Sequence, residues 1–368
     1  MSDVDIFHAP RDFEFHDFDT RNVTASDGGT ATLRFPRLDA DAVHALAASV
    51  RRHRAEKLAR YSTDGIVDVI ARAVELWTDP EYPERRLAER LIPAVTGYDA
   101  SMVRIELKRY MRMFRRRELL RFVDDELNCP QMLDEYRPNR SGGYTRLYGP
   151  ELSFHVFSSN VPGIPVWSMT MGLLTKSAIL GKSSFDEPLM PVLFARSLAS
   201  VDPDMADALA IVPWRGGTVD LEDAAIGEAD AVVAYGSSHT TEAIRPRVRA
   251  GKPFLSYGAK IGFSLIGREA LRADLYAGRA SYGDRRGHIR PAKLSGAANH
   301  VRGTWRRDVS GAGRRTACQR IGRAAAQISP FHTVRRGVHG DSAVAFHRAD
   351  ESADAGRRPD GRRGRQRG

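Results

Sequence analysis

The chain changes its hydrophobic rhythm twice. Over residues 41–127 apolar positions recur three and four apart, as in LDADAVHALAASVRRHRAEKLARY, GIVDVIARAVELW, ERRLAERLIPAV and SMVRIELKRYMRMFRRRELLRFVDDEL. That spacing lines one face of a helix, so it predicts a series of amphipathic helices. Ahead of it, residues 1–40 are mixed, with short strand-like runs such as TATLRF. Residues 131–150, QMLDEYRPNRSGGYTRLYGP, carry the Gly and Pro punctuation of a loop or hairpin. After Pro150 short apolar runs alternate with amphipathic ones: LSFHVFSS, VPGIPVWSMTMGLLTK, SAILGKSS, PLMPVLFARSLASV, ALAIVPW, LEDAAIGEA, DAVVAYG, SHTTEAIRPRV, KPFLSYG and KIGFSLIG. Strands at regular intervals with helices between them predict βαβ crossovers and a doubly wound parallel sheet covered on both faces. From about Ser281 neither period persists. Three regions follow: a mostly helical one (1–140), an α/β one (141–280) and an Arg/Gly-rich tail (281–368).

Charge changes the picture of that tail. The formal net charge is +10 and the pI about 9.8, which by itself suggests a nucleic-acid or membrane-surface partner. Yet residues 281–368 hold 20 of the 56 basic and 7 of the 46 acidic side chains, a local +13. Residues 1–280 are left with 36 basic and 39 acidic side chains, a net of −3. The body of the chain is therefore slightly acidic. Within it, the run RMFRRR reads as a solvated helix face, with a phosphate-binding patch as the alternative. Two cysteines, Cys129 and Cys318, make neither a disulfide framework nor a metal spacing, and they suit a reducing cytoplasm. The start, MSDVDIFHAPRDFEF, lacks the apolar stretch of a secretion signal. The most apolar window, VPGIPVWSMTMGLLTKSAIL, contains two prolines and Lys176 and reads as a buried turn and helix, not a membrane span.

In a doubly wound sheet, ligands sit outside the carboxyl ends of the strands. Here those ends read Ser158-Ser159-Asn160, Gly181-Lys182-Ser183, Trp214-Arg215-Gly216-Gly217, Gly236-Ser237-Ser238 and Tyr257-Gly258. Glycines admit a phosphate close to the backbone, and helix starts offer free N–H groups. A nucleotide-like ligand is the expectation, making 141–280 a Rossmann-like nucleotide-binding domain, although the GxGxxG fingerprint is absent.

The strings YGPELSFHVFSSNVPGIPVWSMTMGLLTKSAILGKSS, EPLMPVLFARSLASVDPDMADALAIVPWRGG, EADAVVAYGS and FLSYGAKIGFSLIGREAL closely resemble the LuxC-type fatty acyl-CoA reductases of the aldehyde dehydrogenase superfamily. The resemblance covers about residues 20–280. It implies an aldehyde-dehydrogenase-like fold and reduction of a long-chain acyl-CoA to fatty aldehyde with NADPH, through an acyl-cysteine. By that resemblance Asn160 is the amide donor to the oxyanion, Lys182 contacts the adenosine ribose or its 2′-phosphate, and Gly236 and Ser237 lie beside the pyrophosphate. Gly216 and Gly217 match the adenine-side turn, and Ser158 is placed with the cofactor. Ser256 stands where hydrolytic relatives carry a water-activating Glu, which suits a reductase. Lys182 favours NADP over NAD, while Asp186 and Glu187 lie close enough to leave the choice open. The resemblance further implies a homo-oligomer, acyl-transferring partner subunits of a fatty acid reductase complex, and a family link to luminescence.

One element of that family is missing. Its nucleophilic Cys belongs 25–40 residues after GREAL, in a stretch like FDQQxCLxP, but no Cys occurs between 130 and 317. The expected place reads RRGHIRPAKLSGAANH. Codons for Ser281–Gly303, read one base later, can spell AMATDVATFDQQSCLAPQTMYVE, with the Cys codon spanning Leu294 and Ser295. The expectation is therefore a reading-frame shift between about Ala277 and Ser281, a tail translated out of frame in place of the catalytic domain, and a chain that is inactive and aggregates. Cys318 has basic neighbours but no other sign of a nucleophile. The alternatives are an NADP(H)-binding remnant without catalysis and a nucleic-acid binder with a basic tail.

Overall fold

The computed structural model describes residues 2–139 and 142–258. The tail and its hidden active-site segment lie outside the described residues, as does the KIGFSLIG strand. The chain begins with β1 (Ser2–Asp5), β2 (Phe18–Thr24) and β3 (Thr30–Pro36), which form a small sheet of order β1-β3-β2. Five helices follow: α1 (Ala40–Glu56), α2 (Thr63–Leu76), α3 (Pro83–Thr96), α4 (Ala100–Arg112) and α5 (Arg116–Leu127). Their starts are encoded locally. Asp39, Ser62 and Asp99 each cap a helix by accepting a backbone N–H, and Pro83 opens α3. Gly97, at φ 70°, ends α3 in the left-handed conformation that glycine adopts without a Cβ clash. The predicted hairpin is β4 (Arg137–Pro138) with β5 (Tyr144–Thr145).

The α/β alternation appears as read from the sequence: β6 (Leu152–Val156), α6 (Gly163–Leu174), β7 (Ala178–Ser183), α7 (Leu189–Val201), α8 (Pro203–Ala206), β8 (Leu209–Pro213), α9 (Val219–Glu228), β9 (Ala231–Tyr235), α10 (Ser238–Ile244) and β10 (Phe254–Tyr257). All five strands run parallel in the order β10-β9-β6-β7-β8. The chain therefore winds outward from β6 through β7 to β8, then returns to the other side of β6. The switch point lies between β6 and β9, and the crevice outside their carboxyl ends is the natural ligand site.

β6, β7 and β8 are buried at every position, which explains their mainly apolar sequences. One face of the sheet packs through Ile179 and Ile211 on α6 and α7, and these share a core with α2 and α3 through Ile66, Ile70, Leu91 and Ile92. The other face packs through Leu180, Val212 and Val232 on α1 and α9. The free edge of β8 is closed by the N-terminal segment, where His8 and Ile211 exchange two backbone hydrogen bonds of 2.8 Å.

Candidate active site

β6 delivers the chain to the switch point, and the loop after it carries Ser158 and Asn160. The Ser158 hydroxyl donates to Asn160 Oδ1 at 2.7 Å. With its oxygen so engaged, the Asn160 amide keeps its N–H2 as the free donor, without a partner among the described residues. The Tyr98 hydroxyl donates to the Asn160 carbonyl and ties the loop to the turn before α4. Beside Asn160 runs a mainly apolar groove walled by Met102, Leu107 and Tyr110 of α4 and by Val161 and Pro162. Gly163 makes this wall possible, because a Cβ there would stand 2.4 Å from the Tyr110 ring.

Two other strand ends hold polar groups with no partner among the described residues. Lys182, at the end of β7, is 7% exposed, and no described residue hydrogen-bonds or pairs with its ammonium. Burial pulls its pKa down, opposed only by the more distant Glu222. That carboxylate is already engaged, accepting from Gly217 N at 3.0 Å and from Arg247. The Ser183 Oγ, on the opposite face of β7, is buried without a partner among the described residues, and so is the Trp214 Nε1 at the end of β8. The Trp214 indole is fixed by stacking on Phe154, with centroids 6.0 Å apart and planes at 5°. Buried groups left without a hydrogen bond cost roughly 1–3 kcal/mol each, and the described residues hold others away from this edge, among them Thr170 Oγ1 and Arg146 Nε.

The remaining expected residues lie at the same edge. Gly217, at φ 86°, turns the chain after β8, and Gly216 has open space where a Cβ would be. Gly236 packs against Thr240, and Ser237 caps α10 by accepting from Thr240 N. Glu187 has withdrawn from this edge. Its Oε1 accepts from Leu189 N at 3.0 Å and Met190 N at 2.9 Å, so it caps α7 from inside the protein. Burial, only partly offset by those two hydrogen bonds, pushes its carboxyl up to about 7. Asp186 is exposed. Ser256 lies on β10, near Arg245. Cys129, the one cysteine among the described residues, sits before a turn with Gln131 Oε1 3.5 Å from its sulfur. Among the described residues no cluster has the makings of a metal site, and no helix is long and apolar enough to cross a membrane.

Sequence reasoning missed Tyr98, the inward cap of Glu187 and the groove along α4. Only the VPG string signalled a close approach, at Gly163.

Solved structures with the same fold define the class. The chain is similar to the Mycobacterium tuberculosis aldehyde dehydrogenase complexed with NAD+, with a TM-score of 0.56 at 19% identity over 70% of this chain and 51% of that one. It is also similar to the NADP-dependent glyceraldehyde-3-phosphate dehydrogenase from Bacillus halodurans complexed with NADP, with a TM-score of 0.54 at 15% identity over 69% and 52%. The fold is therefore that of the aldehyde dehydrogenases. Within it, residues 58–282 match the family model of the acyl-CoA reductases of LuxC type, and the chain belongs to that family. Among curated relatives, it is 28% identical over 208 residues to the long-chain acyl-protein thioester reductase of Photorhabdus luminescens, covering 55% of this chain and 42% of that protein. To the corresponding reductase of Vibrio harveyi it is 24% identical over 211 residues, covering 56% and 44%. The match thus spans less than half the length of these relatives.

Proposed function

We propose that the chain carries the cofactor-binding part of an enzyme that reduces a long-chain acyl thioester, such as acyl-CoA, to the fatty aldehyde with NADPH. The observation that carries this reading is the buried, unpartnered Lys182 at the carboxyl edge of the sheet. A cation there suits a 2′-phosphate, and the inward turn of Glu187 removes one carboxylate that would suit a 2′-hydroxyl instead. Trp214 supplies a hydrogen-bonding group at the next strand end, Gly216 and Gly217 form the adenine-side turn, and Gly236 and Ser237 flank the pyrophosphate. Ser158 belongs to the cofactor side of the loop and also orients Asn160. When bound, the nicotinamide supplies the hydride that reduces the acyl carbon. Asn160 donates its Nδ2 hydrogen to the carbonyl oxygen as negative charge develops there. The apolar groove along α4 holds the first part of the acyl chain.

The nucleophile is the missing part. Cys129 lies outside this constellation, and no other cysteine precedes Cys318. The family match ends at residue 282, beside the place where reading one base later uncovers FDQQSCLAP. We read the chain as catalytically silent for that reason. Deleting one base between codons 277 and 281 tests this. Aldehyde from long-chain acyl-CoA and NADPH is expected from the edited chain and not from the unedited one. Turnover by the unedited chain, or none by the edited one, would refute it. NADPH binding by the unedited chain without turnover fits a cofactor-binding remnant. Salt-sensitive DNA binding lost with residues 281–368 would instead favour the nucleic-acid reading. Acyl-transferring partner subunits, a homo-oligomeric assembly and a cytoplasmic location belong to the same proposal.

A further inference from the structure

The basic run 112–117, from the end of α4 into α5, does not behave as one face. Arg116 is taken up by two carboxylates, Asp64 and Asp68, each at 2.6 Å. Arg121 pairs with Glu118, and Arg117 stands 88% exposed. Arg112 and Arg115 turn the other way. With Lys108, one turn before Arg112, they line a cavity of about 440 Å³ between α4, the end of α2 and the start of α3. None of the three has an ion-pair partner among the described residues. A fourth cation, Arg85, also lines the cavity, but it is fixed by Glu89 and by the Thr78 carbonyl, each at 2.9 Å.

Two properties separate this cavity from an ordinary charged surface. No aspartate or glutamate lines it, although the body of the chain carries as many acids as bases. Its floor is apolar and rigid: Val74, Trp77 and Met111 are nearly fully buried, and the Trp77 indole N–H is held by Ser197 Oγ at 2.9 Å. Cations at the end of α4 are favoured by the helix dipole, which accounts for Arg109 and Arg112 being there. The dipole does not account for Arg115 and Lys108 converging on the same apolar-floored space, where like charges repel until an anion joins them. The cavity shares no lining residue with the groove beside Asn160, and it is not part of the strand-end site.

We propose that this cavity binds the phosphate monoester of an organic molecule. Lys108, Arg112 and Arg115 hold the phosphate, and the carbon skeleton lies on the floor of Val74, Trp77 and Met111. Arg and Lys side chains are the usual partners of a phosphate, and guanidinium groups hold it by paired hydrogen bonds. The cavity is several times larger than a phosphate ion, so the ligand's organic part has room.

The test uses the full chain with NADPH saturating, so that the sheet-edge site is filled, and phenyl phosphate as probe at physiological ionic strength. Binding by calorimetry is expected, weakened about tenfold or more in Arg112→Ala/Arg115→Ala, as loss of charge-assisted hydrogen bonds implies. Arg117→Ala, at an exposed arginine that does not line the cavity, should leave it unchanged. Both arginines are exposed, so the double variant keeps its fold, which circular dichroism checks. Coenzyme A binding more tightly than phenyl phosphate would identify the thioester's carrier as the source of the phosphate, and the reverse would identify a free metabolite. Equal phenyl phosphate affinity in wild type and double variant, or no binding in either, overturns the proposal. Neither outcome depends on whether the chain reduces acyl thioesters.

Discussion

Glu187 makes the stability of this fold depend on pH in an unusual direction. Its carboxyl is 1% exposed, Oε1 caps α7, and Oε2 has no partner. Burial raises its pKa from 4.5 to about 7. In the unfolded chain the proton leaves near 4.5, whereas in the folded chain it stays until about 7. Below pH 4.5 the two states carry the same proton and the group contributes no difference. Between pH 4.5 and 7 the folded state binds more protons, so stability falls as pH rises, and above 7 the loss is complete. A shift of that size, at 1.36 kcal/mol per pKa unit, corresponds to about 3 kcal/mol. Glu187→Gln keeps the Oε1 acceptor and abolishes the titration, while placing an N–H2 where Oε2 lacks a partner costs about 1 kcal/mol. Urea unfolding followed by tryptophan fluorescence should therefore find the variant about 1 kcal/mol less stable than wild type at pH 4.5. At pH 8 it should be about 2 kcal/mol more stable. An equal difference at both pH values would refute the reasoning.

Lys182→Met removes a buried, unpaired ammonium, so a higher melting temperature should accompany NADPH binding weakened by about 10–100-fold, read by calorimetry. In the frame-restored enzyme, Asn160→Ala should lower kcat by about 100-fold or more, and Ser158→Ala by less, with aldehyde formation as the assay. Gly163→Ala forces a Cβ to within 2.4 Å of the Tyr110 ring and should cost about 1–3 kcal/mol. In urea unfolding, adding Tyr110→Ala should make the double variant less unstable than the two single losses predict. Leu255 and Tyr257, each 45% exposed on β10, the edge strand among the described residues, should make the unedited chain aggregate, and Leu255→Lys should slow the rise in light scattering.

Much of this molecule was legible before its structure. The helical period of 41–127, the strand–helix alternation from Pro150 to Gly258 and the strand-end residues reappear where the pattern placed them. Short-range causes explain this: side-chain period, caps and turn residues act within a few positions of one another. Missing from that reading were groups whose meaning depends on a distant neighbour. Glu187 looked like a rival for the ribose, yet two backbone N–H groups of α7 draw it inward. RMFRRR looked like a single face, yet Asp64 and Asp68 on α2 take one arginine and leave two others for a cavity.

By itself the sequence determined the α/β class, the family and the lack of any cysteine between 130 and 317, because each rests on the order and identity of residues. The tertiary structure decided which of the edge residues are left without partners. It turned the Asn160 amide by a bond from Ser158, buried Lys182 with no ion-pair partner among the described residues, and left Trp214 Nε1 and Ser183 Oγ unsatisfied among them. Unmet hydrogen-bonding capacity is a property of three-dimensional packing. A chain written in one dimension names the donors, and only the fold shows which of them find partners.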